Sequence, residues 1–227
     1  MLTAADITRI KQKITTILQS HAGVSPATTV NLLPNKNLQG KLYEAHVMAS
    51  ICENLVIREG FRITLAGGTN LVLRQKGGPI DRKYPYFQVW DGTTLFGELF
   101  TDIYFKTLSY ELKGSTPRLT SGDFHELDIA VVKPSLTGLP KPSEVLLAVE
   151  CKNTSIIKSI IREVLGFRRE LSYYSHNANT TSFKVWPVPT INAKPASVHM
   201  LFCSDNRINR FTSNCEKFGI ILQYHKM

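Results

Sequence analysis

The segment "EVLLAVECKNTS", residues 144–155, constrains the fold of this chain more than any other stretch. Its run of apolar residues, Val145 to Val149, is typical of a strand buried on both faces, as strands are in a covered α/β sheet. Glu150 and Lys152 follow at once and, being two residues apart, project from the same face of that strand. A buried strand that ends on an acid and a base predicts either an ordinary ion pair or a polar site at one end of the sheet.

A second strand precedes this one and carries another acid. "HELDIAVV", residues 125–132, enters through polar residues and is joined to the first strand by a short proline-containing loop. Because such a connection permits the two strands to be neighbours, we expect Asp128 and Glu150 to converge. Carboxylate oxygens are the ligands that Mg²⁺ accepts in proteins. Asp123 and Glu126 remain alternatives to Asp128 for this role.

Lys152 makes the predicted site suitable for hydrolysis. Beside two metal-binding carboxylates, its amino group can orient or help to deprotonate a water molecule, or hold the charge that develops on a phosphate. A metal-activated hydroxide in a basic cleft hydrolyses phosphodiester bonds. The alternative is that Glu150 and Lys152 form an exposed ion pair, which contributes less than about 1 kcal/mol to stability.

Hydrophobic periodicity predicts three helices. Apolar residues at three- and four-residue spacing indicate an amphipathic helix over residues 4–20 and a second helix over residues 39–58. A third helix is expected to be capped within residues 153–155 and to run to about Tyr174.

The chain as a whole, residues 1–227, is predicted to be one α/β domain. Residues 1–37 supply an extra N-terminal helix and a connection. Residues 76–122 indicate a β-rich insertion or an extension of the sheet, with a hairpin at Asp91-Gly92 and a further strand over residues 101–112.

The composition favours a polyanionic partner. The formal net charge is +9 and the isoelectric point is about 9.4, as in proteins that neutralise phosphates. Lys158, Arg162 and Arg169 form a basic edge of the third helix, which either is solvated or guides phosphates. No apolar run is long enough to span a membrane and the N-terminus lacks a secretory apolar stretch, so a cytoplasmic protein without membrane contact is expected. The four cysteines lack the spacing of a zinc site or a disulfide framework.

The combined pattern resembles the PD-(D/E)XK nuclease superfamily, which has the restriction-endonuclease-like fold. The resemblance rests on "ELDIAVV", the proline-rich loop, "LLAVECKNTS" and the helix that follows. In addition, "GKLYEAH", with Gly40 and Glu44 at the start of the second helix, is similar to the G-x-x-x-E setting in which that superfamily often places an earlier acid. The resemblance covers roughly residues 38–75 and 123–205.

This resemblance implies a restriction-endonuclease-like core, in which a mixed central sheet is flanked by helices, plus the β-rich insertion and the extra N-terminal helix. It implies that Asp128 and Glu150 bind Mg²⁺ or Mn²⁺, with Glu44 as an accessory ligand, and that Lys152 assists catalysis. The implied activity is a metal-dependent endodeoxyribonuclease, with a role in restriction or phage defence as an analogy from the family alone. DNA is the implied partner, and a regulatory protein subunit and a homodimer are left open.

Other interpretations stay open on the sequence alone. "YELKG" holds a second E-x-K copy at Glu111 and Lys113, with Asp102 upstream, but no amphipathic helix follows it. The alternative for Glu44 is a solvated acid near a helix N-terminus. The same fold can also bind nucleic acid or scaffold a partner without catalysis.

Overall fold

The structure is a computed structural model that describes residues 2–29, 39–68, 73–74, 76–114 and 118–227. Its helices are α1 (Ala4–Ala22), α2 (Pro26–Thr29), α3 (Gln39–Ile57), α4 (Leu108–Glu111), α5 (Lys158–Leu171) and α6 (Thr212–Glu216). Its strands are β1 (Arg62–Ala66), β2 (Tyr86–Asp91), β3 (Thr94–Lys106), β4 (Phe124–Val132), β5 (Val145–Lys152), β6 (Tyr173–Thr180), β7 (Thr190–Lys194), β8 (Val198–Cys203) and β9 (Ile220–Tyr224). Short 3₁₀-helices occupy Pro142–Glu144 and Asn206–Phe211.

A mixed seven-stranded sheet forms the centre of the described chain. Its strand order is β1-β2-β3-β4-β5-β8-β9. Neighbouring strands from β1 to β5 pair in the antiparallel direction. The pairs β5–β8 and β8–β9 are parallel. The crossover that a parallel pair requires contains α5, and β6 and β7 form a separate two-stranded sheet. The predicted α/β class, with a mixed central sheet flanked by helices, is thus confirmed.

Helices cover the sheet with separate apolar clusters. Buried residues of α1 recur every four positions, at Ile10, Ile14 and Leu18, and pack with α3 in one cluster. That cluster includes Val149 of β5 and residues of β4 and β8. A second cluster joins α5 to β8, β9 and α6, with Val164 of α5 fully buried. Burial of each large aliphatic side chain contributes roughly 1.5–3 kcal/mol to stability, so these clusters hold α1, α3 and α5 in place around the sheet.

Residues 76–122 contribute two strands to the central sheet itself. The predicted hairpin at Asp91-Gly92 joins β2 to β3, and Gly92 has the left-handed φ of 59° that tight hairpin turns favour. The separate strand predicted over residues 101–112 is wrong, because β3 continues to Lys106, in the same register with β4 on both sides of Asp102, and α4 follows it. The strand that carries Asp128 therefore has β3 as a direct neighbour.

The third predicted helix begins later than expected. It starts at Lys158, and no residue within 153–155 caps it. The reason is non-local, since the carboxylate of Asp205 accepts the backbone N–H of Ile156 at 2.9 Å and binds the segment after β5 to the end of β8. The helix also ends earlier than predicted, at Leu171.

The N-terminal helix is present as α1, and from residue 30 onward the predicted connection lies outside the described residues. All four cysteines are free thiols. In the part of the chain that the structure describes, no helix combines the length and apolar character needed to cross a membrane.

Glu59, just after α3, anchors the loop between β6 and β7. Its buried carboxylate accepts the backbone N–H groups of Lys184, Val185 and Trp186.

In Glu59→Ala these donors lose their acceptor, so we expect the free energy of unfolding to fall by about 3 kcal/mol, and by less in Glu59→Gln. Urea denaturation followed by circular dichroism measures the change. Glu53→Ala, at a partly exposed acid of α3, is the control, and a loss as large as that of Glu59→Ala would contradict the account.

Candidate functional site

Three acids lie at one level of the central sheet, on three adjacent strands. Asp102 of β3 and Asp128 of β4 are opposite each other, because the residues on either side of them pair across the two strands. Asp128 and Glu150 each lie one residue beyond the paired residues Ile129 and Val149 of β4 and β5. The antiparallel register therefore sets Asp102, Asp128 and Glu150 in one row across the sheet.

Asp102 has an unusual backbone conformation within its strand. Its φ of 51° lies in the left-handed region, which aspartate tolerates better than most residues. The conformation interrupts the alternation of the strand, since Phe100 and Ile103, three residues apart, pack in the same apolar cluster. The Asp102 side chain is fully buried, and its Oδ2 has no hydrogen-bond partner among the described residues. Such local strain, with an unpaired polar atom, is typical of functional sites.

The first turn of α3 brings Lys41 and Glu44 to this row of acids. The ammonium of Lys41 donates to Glu44 Oε2 at 2.6 Å and also to Asp102 Oδ1. Glu44 lies one turn after Lys41, so both side chains are on the same face of the helix. The G-x-x-x-E segment of the sequence thus delivers an acid and a base together.

The end of β5 positions the remaining groups. The backbone N–H of Cys151 donates to Asp128 Oδ2 at 2.6 Å, which fixes the Asp128 carboxylate against β5. Lys152 Nζ lies 3.5 Å from Glu150 Oε2 and 3.3 Å from Glu163 Oε1 of α5. The second oxygen of Glu150, Oε1, is buried and has no hydrogen-bond partner among the described residues.

Burial raises the pKa values of the carboxyls at this site. It raises the pKa of Glu44 to about 7 and that of Asp102 to about 6. It also raises the pKa of Asp128, and it raises that of Glu150 well above its ordinary value, with the charge of Asp128 as the next cause. Because the charge of Asp128 acts on all three other carboxyls, the four groups are electrostatic neighbours.

Both lysines of the site are cations at neutral pH. Burial disfavours the charge on Lys41, but its hydrogen bonds to Asp102 and Glu44 raise its pKa overall. Burial also opposes the charge on Lys152, whose pKa is nevertheless raised by neighbouring carboxylates, Glu150 first and then Glu163. A protonated lysine can stabilise negative charge on a phosphate but cannot accept a proton from water.

The four residues predicted from the sequence, Glu44, Asp128, Glu150 and Lys152, are brought together at this end of the sheet. Of the alternatives to Asp128, Asp123 is instead bound by Lys113 and by Thr120.

The second E-x-K copy is not assembled into a site of its own. Glu111 ends α4 and is exposed, and Lys113 pairs with Asp123. Asp102, which precedes that copy in the sequence, belongs to the principal site, and the charge of Glu126 acts on it.

The predicted basic edge lies on the surface of α5. Lys158, Arg162 and Arg169 are all exposed, and none of them forms an ion pair with another described residue. The Arg169 guanidinium lies over the ring of Tyr173, 5.1 Å from its centroid. These side chains remain available for an anionic partner.

Asp128 and Glu150 are the residues best suited to hold a metal ion. Within the described ranges, no group of three or more His, Cys, Asp or Glu side chains is arranged to bind a metal. Mg²⁺, however, is commonly bound through one or two carboxylates, with water and substrate phosphate completing its shell. The buried, unpaired Oε1 of Glu150 next to Asp128 fits that mode of binding.

Sequence reasoning missed Asp102, Lys41 and Glu163 as members of this site. Asp102 drew attention only through the second E-x-K copy. A sequence signal existed for Lys41, which stands three residues before Glu44 and therefore on the same helix face. The equivalent signal for Glu163 was its position on the helix directly after Lys152.

Comparison of the chain with protein-family models, with curated proteins and with solved structures finds no match. Its function must therefore be inferred from the residues and the geometry of this site.

Lys41 is the counterion of a buried acid, which a double-mutant cycle can test. Lys41→Met leaves the Asp102 carboxylate without a cation, so we expect the free energy of unfolding to fall by about 3 kcal/mol at mildly alkaline pH. Asp102→Asn in the same chain removes that charge, and the double variant should be more stable than Lys41→Met alone. Urea denaturation measures both. Lys113→Met is the control, and its loss of unfolding free energy should be smaller because Thr120 still binds Asp123. If the effects of Lys41→Met and Asp102→Asn simply add in the double variant, the pairing of these two residues is contradicted.

The raised carboxyl pKa values predict that the contribution of Glu44 and Asp102 to stability falls as the pH rises from about 4.5 to about 7. In the folded protein the pKa values of Glu44, about 7, and Asp102, about 6, exceed the ordinary values, so the unfolded chain ionises first. The stability that these groups contribute is present at low pH and is lost through that range. Melting temperatures in chelator-containing buffers measure it. Relative to the wild type, Glu44→Gln should gain melting temperature as the pH rises through this range, and Glu111→Gln should not; a difference between Glu44→Gln and the wild type that does not change with pH would contradict the prediction.

Proposed function

We propose that this chain is a Mg²⁺-dependent nuclease that hydrolyses phosphodiester bonds, with DNA as the preferred substrate and endonucleolytic cleavage as the mode. The observation that carries the proposal is the meeting of Asp128, Glu150, Lys152 and Glu44 at one end of the central sheet. These residues come from α3, β4 and β5, and the Asp128 charge acts on the carboxyls of both Glu44 and Glu150.

The order of elements supports a restriction-endonuclease-like core. In the superfamily that the sequence resembles, the core runs α-β-β-β-α-β. Here α3, β3, β4, β5, α5 and β8 follow that order, with β1 and β2 inserted after α3, α4 between β3 and β4, and β6 and β7 between α5 and β8. The strand β3, which would serve as the first core strand, falls within residues 76–122, outside the residues on which the resemblance rests.

In this proposal Asp128 and Glu150 hold the cation, and Glu44 is an accessory ligand. When bound, Mg²⁺ supplies Lewis-acid stabilisation of the phosphate and lowers the pKa of a coordinated water. The N–H of Cys151 keeps the Asp128 carboxylate oriented through its 2.6 Å bond. The Lys152 ammonium holds the charge that develops on the phosphate, in keeping with its raised pKa.

Charge on the protein supports a nucleic acid as substrate. The net charge of +9 favours association with a polyphosphate backbone. The exposed basic edge of Lys158, Arg162 and Arg169 lies on α5, whose Glu163 is bound to the catalytic Lys152. Glu163 directly follows Arg162, so the basic edge passes beside the proposed cleavage site. A role in restriction or phage defence, and gating by a regulatory subunit, are parts of this proposal that rest on the family alone.

One observation favours a second candidate function, which is nucleic-acid binding without cleavage. Among the described residues no three-ligand metal group is preformed, and Lys41 already forms ion pairs with Glu44 and Asp102. In that case the site would be a structural network of ion pairs, and the basic surface would carry the function.

A cleavage assay tests the proposal. The purified protein is incubated with supercoiled plasmid and with linear DNA in Mg²⁺, in Mn²⁺ or in EDTA. We expect nicked and linear plasmid only with a divalent ion, and a loss of rate of about 100-fold or more in Glu150→Gln and in Lys152→Met.

The second E-x-K copy provides a matched control for this assay. Glu111→Gln changes the same residue type in the same local motif, away from the site, and should leave the cleavage rate unchanged. Equal cleavage rates for the wild type and for Glu150→Gln would contradict the proposed mechanism. Salt-sensitive DNA binding that survives Glu150→Gln, without cleavage by the wild type, would instead support the second candidate function.

A further inference from the structure

A second candidate binding site lies at the C-terminal end of α5, beyond Glu163, the residue at which Lys152 contacts this helix. It is a pocket of about 370 Å³ between the last turns of α5, the start of β6 and the segment before β9. Tyr173, Tyr174 and Phe218 supply its aromatic wall, and Arg168, Arg169 and Ser172 supply polar groups. No acidic residue is among the described residues that line it.

Two aromatic rings in this pocket are half exposed. Tyr174 is 50% exposed and Phe218 is 51% exposed, and their ring centroids lie 6.1 Å apart at an angle of 62°. Tyr174 also makes an edge contact with His176, at 5.1 Å between ring centroids. Large aromatic side chains that contact each other yet remain open to solvent offer a surface on which a flat ring can stack.

The polar groups of the pocket are basic or unpaired. The exposed Arg169 guanidinium stacks over Tyr173. Arg168 is almost completely buried and donates to the carbonyls of Ser197 and Phe218, with no carboxylate partner among the described residues. Its Nη2, like Oγ of Ser172, is buried without a hydrogen-bond partner in the described part of the chain. Of these polar groups only Arg169 is exposed, so it is the one that a ligand in the pocket can contact directly.

We propose that this pocket binds an unpaired base of a single-stranded nucleic acid. Aromatic rings stack on any base, and Arg169 can contact the adjoining phosphate, as in single-strand binding grooves. The pocket adjoins the basic edge: Lys158, Arg162 and Arg169 lie along α5, whose 14 residues span roughly 20 Å, and Arg169 also lines the pocket. The inference rests on the proposed nucleic-acid partner but not on catalysis.

Fluorescence anisotropy with a labelled oligothymidylate tests the inference. Binding is measured in EDTA with the Glu150→Gln protein, which is not expected to cleave DNA. The binding result therefore does not depend on whether the wild type is a nuclease. We expect Tyr174→Ala and Phe218→Ala each to weaken binding about tenfold, because each removes one stacking surface. Tyr174→Phe, which keeps the ring, should bind like its parent protein.

An abasic oligonucleotide of the same length separates base stacking from backbone attraction. Its affinity should be unchanged by Tyr174→Ala. Ile57→Ala, at an apolar residue of α3 that is 64% exposed, is the control for loss of surface apolar area. Equal losses for the abasic and the normal oligonucleotide, unchanged binding in both aromatic variants, or no binding of the oligothymidylate at all would overturn the inference.

Discussion

Four neighbouring carboxyls on α3 and three strands of the central sheet, two of them buried and two half-buried, set the main physical constraint on this protein. Asp102, Asp128 and Glu150 lie in one row across β3, β4 and β5, and Glu44 of α3 adjoins them. Each loses hydration on folding and is repelled by the others, which raises all four pKa values. Unless cations offset it, such an arrangement destabilises the fold.

The protein itself supplies part of the positive charge that offsets these carboxylates, from two sides of the site. α3 contributes Lys41, whose ammonium lies between Glu44 and Asp102, and the end of β5 contributes Lys152. Lys152 is shared with Glu163 of α5, so only part of its charge is available to Glu150. Oδ2 of Asp102 and Oε1 of Glu150 have no hydrogen-bond partner among the described residues, so these oxygens can still accept a divalent cation.

Local sequence patterns predicted the elements and acids that depend on short-range information. The apolar run before Glu150, the strand of Asp128 and the helix of Glu44 were all expected, because periodicity and short loops specify them. Asp102 could not be assigned to the site in this way. Only the register between β3 and β4 shows that Asp102 and Asp128 are neighbours. The late start of α5 escaped prediction for a similar reason, because Asp205 acts on it from a distant segment.

The central claim is that Asp128 and Glu150 together hold a divalent cation. A crystal structure of the protein grown with saturating Mn²⁺, with anomalous diffraction data at the manganese edge, tests it most directly. The account predicts an anomalous peak within coordination distance of both carboxylates, with water or an anion completing the shell. Absence of a peak between these two side chains under saturating Mn²⁺, or a peak only at other residues, would contradict it.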